Sequence, residues 1–150
     1  MTPLAIVGLA AACASHHGAT TPVRHGAAPR WTAPAWSSSS PGFAAHLRYV
    51  VSAGGNVVGV LFTHRLRAGT PENPANKILW IVRRPRHGRP LSIHAEPVGA
   101  SARGVASSWP ANSSPGEIYP STDNVPFPGC WRFTLRWAGH IDTLALEYSS

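Results

Sequence analysis

The sequence predicts an all-β fold, an antiparallel sandwich, and three observations carry that prediction. From Ala44 onward, short runs of β-branched and aromatic residues are separated by clusters of Gly, Pro, Asn and Ser. No stretch after Phe43 repeats its apolar residues at helical spacing over a useful length. The last two runs, Cys130 to Trp137 and His140 to Tyr148, read as an amphipathic hairpin closing the domain.

Taken in order, the chain divides into three parts: 1–13, 14–42 and 43–150. The first is a chargeless apolar run, Leu4 to Ala12, ending in small residues before Cys13. Its length suits a signal sequence and falls far below the roughly 20 residues of a membrane-spanning helix. Ala10-Ala11-Ala12-Cys13 is similar to a bacterial lipobox, which implies cleavage before Cys13 and a lipid on its sulfur. The lipobox position usually held by Leu is Ala10, and no Lys or Arg precedes Cys13. An ordinary secretory signal, or an apolar N-terminus in which Cys13 is incidental, are the alternatives. Residues 14–42 are rich in Ala, Ser, Thr, Pro and Gly, and read as a disordered tether between membrane and domain. Trp31 and Trp36 are its two large apolar side chains.

In the folded part, His46 to Val51 alternates Leu47, Tyr49 and Val51 against Arg48. The turn at Ala53-Gly54-Gly55-Asn56 leads into Val57 to Leu66, where Val58, Val60 and Phe62 are expected on one face. Lys77 to Val82 is apolar on both faces, as a central strand should be. Arg83 to Pro90 turns the chain, and Leu91 and Ile93 begin the return strand. Between Pro97 and Gly129, only Val105 and Ile118-Tyr119 offer short edge strands. In the closing hairpin, Trp131, Phe133, Leu135 and Trp137 alternate with Arg132, Thr134 and Arg136. A two-residue turn at Ala138-Gly139 sets Trp131 opposite Leu146 and Phe133 opposite Leu144.

Pro128-Gly129-Cys130-Trp131 opening that strand resembles uncharacterised secreted and lipoprotein families of Gram-positive, actinobacterial-type bacteria. The resemblance covers Lys77 to Tyr148. It implies an immunoglobulin-like β-sandwich and an envelope location, and it carries no activity to transfer. Antibody-type domains need a second core cysteine, and here Cys130 has none, so it is expected as a buried, inert thiol.

The chemistry-bearing residues are sparse. Eight histidines are spread along the chain, and the pairs His94/Glu96 and His140/Asp142 fall short of the three or four ligands a zinc site needs. No Gly-x-Ser-x-Gly elbow is present, and Asp142, close to a turn, is expected to satisfy turn backbone. No catalytic residue, metal ligand or cofactor is therefore predicted. The net charge of +7 comes from twelve Arg and the single Lys77, a bias that reads as genome composition more than as a binding device. Its sharpest concentration is Arg83, Arg84, Arg86 and Arg89, which could grip anions or simply form a solvated loop. Nucleic-acid binding would want aromatics beside the basic residues on an open platform, whereas Trp80, Trp131 and Trp137 read as core or rim positions of strands, so none is expected. The expectation is an exported interaction domain, anchored to the membrane through Cys13 and binding an envelope protein or an anionic polymer. A small exported hydrolase with an unrecognised site, or an anion-binding module acting through the Arg83–Arg89 loop, are the alternatives.

Overall fold

Two sheets face each other in the computed structural model, which describes residues 13, 33–44, 46–69 and 73–150. The apolar run 1–12, the tether as far as residue 32 and Trp31 within it lie outside the described residues. Among the described residues nine strands follow one another: β1 (Arg48–Val51), β2 (Val57–Leu61), β3 (Leu66–Arg67), β4 (Lys77–Val82), β5 (Leu91–Pro97), β6 (Val105–Trp109), β7 (Ile118–Thr122), β8 (Gly129–Trp137) and β9 (His140–Ser149). One sheet has the order β1-β2-β4-β7, the other β3-β9-β8-β5-β6. Every pairing is antiparallel except the short β3–β9 pair. The chain crosses between sheets after β2, β3, β4, β6 and β7, and β8–β9 stand beside β5 and β6. This is an immunoglobulin-like sandwich.

The closing hairpin has the register its alternation requires: Trp131 pairs with Leu146 and Phe133 with Leu144. Ala138 and Gly139 both have positive φ, as a two-residue turn matched to strand twist demands. The inward rings of Trp80, Trp131, Phe133, Trp137 and Tyr148 dominate the core between the sheets. β4 is central, as its two apolar faces predict, and Ile78 to Val82 are all buried.

A second apolar cluster lies on the other face of the four-stranded sheet. Tyr49, Val58, Val60, Leu79, Ile81 and Ile118 form it, and Ala33, Trp36, Phe43, Leu47 and Val51 pack over them. The tether boundary at residue 42 therefore needs correction, because residues 33–42 belong to the domain. β2 and β4 carry apolar side chains on both faces, and the outer set requires a cover. The segment supplies one through the single-turn helix α1 (Ala35–Ser38) and Phe43, whose ring lies 5.9 Å from that of Tyr49. Phe62 does not join Val58 and Val60. β2 ends at Leu61, and Phe62 turns outward beneath the Lys77 ammonium, 5.3 Å from its ring centre.

The cysteine expectation is also overturned. Cys130 is joined to Cys13 in a disulfide, with Cα atoms 5.4 Å apart. The alternation that sends Trp131 inward turns Cys130 to the opposite face of β8, where an N-terminal segment can reach it. A sulfur held in this bond cannot at the same time carry a lipid thioether, so lipidation of Cys13 and this pairing exclude each other.

Candidate functional site

The arginine loop after β4 is a built turn. Arg86 to Arg89 closes through a hydrogen bond from Arg89 N to Arg86 O at 2.8 Å, with positive φ at His87 and Gly88. Arg86 points inward: its guanidinium donates to Ile118 O at 2.6 Å and Ser114 O at 2.9 Å, and stacks over the Tyr119 ring. Its backbone N–H donates to the Glu117 carboxylate. Of the four arginines in the predicted anion set, Arg86 is thus spent on holding the loop to β7. Arg83, Arg84 and Arg89 remain exposed. Tyr119 ties the far end of the turn by donating its hydroxyl to Arg89 O at 2.9 Å. Burial pushes that phenol up to about 12, outweighing the pull of the Arg86 charge, so the donor keeps its proton.

The fixed turn faces the β8–β9 turn across an open cleft of about 730 Å³. His87 and Arg89 line one side; Arg136, Trp137, His140 and Ile141 line the other. Every ionisable residue lining the cleft is basic. Trp137 is buried in the core, and its ring lies 5.5 Å from that of His140. Sequence reasoning found Arg89 but missed Arg136 and His140. They become its neighbours because Ser92, just beyond the loop, pairs with Arg136 across the sheet.

The cleft continues onto the outer face of the five-stranded sheet, which Cys13 reaches at Cys130. A shallow groove of about 440 Å³ runs there, lined by Ser92, His94, Ala106, Ser108, Thr134 and Arg136 among others. Glu96 accepts from the Arg132 guanidinium at 3.2 Å and lies 3.8 Å from His94 Nδ1, all three about half exposed. Such a pair is solvated and holds no fixed catalytic geometry.

The two buried carboxylates among the described residues are occupied elsewhere. Asp142 accepts from the Ser52 hydroxyl and from the backbone N–H groups of Gly54, Asn56 and Thr143. It does satisfy a turn, but the turn belongs to the opposite sheet, between β1 and β2. Asp123 accepts from Trp80 Nε1 at 3.0 Å and Ser121 Oγ at 2.5 Å. Burial holds its carboxyl above the ordinary carboxylate range despite these bonds. Among the described residues no three His, Cys, Asp or Glu side chains gather into a metal-binding group, and no helix is long and apolar enough to cross a membrane. Comparison with protein-family models, with curated proteins and with solved structures found no match to this chain.

Proposed function

We propose that this chain is an exported β-sandwich domain that binds a component of the cell envelope on the outer face of its five-stranded sheet. One observation carries the reading: the two sheets are treated differently. Among the described residues, the four-stranded sheet has its outer face closed by residues 33–44, whereas the five-stranded sheet leaves open a groove of hydroxyls, a histidine and an arginine. Loose polar groups of this kind suit binding better than catalysis, which needs a nucleophile and base held in contact.

Export is supported by the Cys13–Cys130 pairing, since structural disulfides persist in oxidising compartments. A cut after Ala12 would leave Cys13 at the head of the mature chain, free to pair. The lipid-anchored form uses the same sulfur and is the second reading. Intact-mass measurement of the mature protein separates them: the disulfide form carries no acyl mass and no free thiol. For binding, amide resonances should be followed while fragmented bacterial cell wall is titrated in. Shifts at Ser92, His94, Ala106 and Thr134 are expected. Shifts confined to the four-stranded sheet, or none, would overturn the reading.

A further inference from the structure

We infer that the cleft between the Arg86–Arg89 turn and the Ala138–Gly139 turn is a phosphate-binding subsite, adjoining the sheet face proposed above and resting on that reading. Four basic residues line it, His87, Arg89, Arg136 and His140, and no carboxylate lines the space. The nearby acids are engaged elsewhere. Asp142 is buried on the inner side of β9 and saturated by the Ser52–Asn56 turn, while Glu117 sits behind the loop on Arg86. Glu96 pairs with Arg132 farther along the sheet.

Both walls are held at the backbone, which fixes the positions from which the cationic side chains extend. One is pinned by Arg86 to β7 and by the Tyr119 hydroxyl; the other is a tight turn at the end of the longest hairpin. A backbone already in place confines the ordering cost of binding to the side chains. Each guanidinium presents a fork of donors that matches two oxygens, so two forks suit the several oxygens of a phosphate better than a single planar carboxylate. The cleft is open and far larger than one phosphate, with the exposed Ile141 along one wall. That shape fits a phosphate borne on a polymer or a headgroup, its neighbouring carbon skeleton lying against the apolar wall.

The test uses the full chain with its disulfide intact, and polyphosphate as probe, at low and at physiological salt. Vesicles of phosphatidylglycerol, with phosphatidylcholine vesicles as the neutral control, form a second arm. Arg89→Ser combined with Arg136→Ser should weaken binding about tenfold or more, the loss of two charge-assisted contacts. Arg83→Ser with Arg84→Ser removes equal charge outside the cleft and should change it by less than about threefold. Thermal midpoints of both variants should match the parent, since these side chains are exposed. Cleft-dependent binding in either arm supports the subsite and identifies the phosphate source. Equal losses in the two variants would reduce the effect to net charge and overturn the proposal. So would absence of binding to both probes. If cell-wall fragments still shift Thr134 and His94 while neither phosphate probe binds, the subsite alone is overturned and the sheet face stands.

Discussion

Asp142, on β9 of the five-stranded sheet, accepts the Ser52 hydroxyl at 2.7 Å from the turn that joins β1 and β2 of the other sheet. The same Ser52 oxygen accepts the Val57 N–H at 2.9 Å, so one carboxylate organises the turn and fastens the sheets together. Burial pushes the Asp142 carboxyl up, but the hydrogen bonds from Ser52, Gly54, Thr143 and Asn56 favour the charged form more strongly, and its pKa is lowered from 3.8. A depressed carboxylate adds stability that is fully present above the unfolded value and is lost as pH falls through the folded one. Denaturant unfolding followed below about pH 4 should show this loss. Asp142→Asn keeps one acceptor oxygen but turns the other into a donor facing donors of the Ser52–Asn56 turn, should cost about 2–3 kcal/mol near neutrality, and should remove much of the acid limb.

Asp123 works in the opposite direction. Burial raises its pKa above 3.8 even though Ser121 and Trp80 donate to it. A raised carboxyl binds its proton more tightly folded than unfolded, so stability falls as pH rises above the unfolded value, until the folded group has ionised. Asp123→Asn keeps an acceptor for the indole N–H and removes the charge. Its unfolding free energy should be flatter with pH above about pH 4 than that of the parent. A variant that keeps the parent's slope there would place the titrating group elsewhere.

The strands were legible because their side chains obey a period of two. Trp131, Phe133 and Leu135 announce an inner face, and one turn at Ala138-Gly139 then fixes every partner on β9. The covering segment was hidden because residues 33–43 have no periodicity. Trp36 and Phe43 act as isolated anchors on a face whose need for cover follows only once β2 and β4 are neighbours. The cleft was hidden for a related reason. Arg89 and Arg136 are far apart in sequence, and the Ser92–Arg136 pairing that unites them depends on β5 lying beside β8. Arg86 looks like its neighbours in sequence; only the carbonyls of Ser114 and Ile118 show it to be an anchor.

Gly59 is a packing residue. It lies opposite Trp80 in the β2–β4 register, and a Cβ there would come within 2.6 Å of Trp80 Cζ3 and 3.2 Å of Val50 Cγ2. Those atoms belong to the inner core, where a fully buried indole has little room to yield. Gly59→Ala should therefore destabilise the domain by about 1–3 kcal/mol, although alanine suits a strand better than glycine. A melting temperature equal to the parent's would mean that Trp80 can shift without loss of packing.

The Cys13–Cys130 bond closes a sequence separation of 117 residues, so it restricts the unfolded chain far more than a local bridge would. Cys130 lies on the outward side of β8, whereas the core depends on Trp131, Phe133 and Leu135 beside it. Breaking the bond should consequently lower stability by about 2–4 kcal/mol while leaving the sandwich folded. Cys130→Ser, Cys13→Ser and reduction of the parent should all lower the unfolding midpoint by similar amounts, because each removes the same constraint. Near-ultraviolet circular dichroism of the buried tryptophans should persist in all three. Thiol titration of the denatured, unreduced parent should find no free sulfhydryl. A free thiol there, together with a midpoint unmoved by reductant, would show the bond to be missing from the protein in solution and would return Cys13 to the lipid-anchor reading.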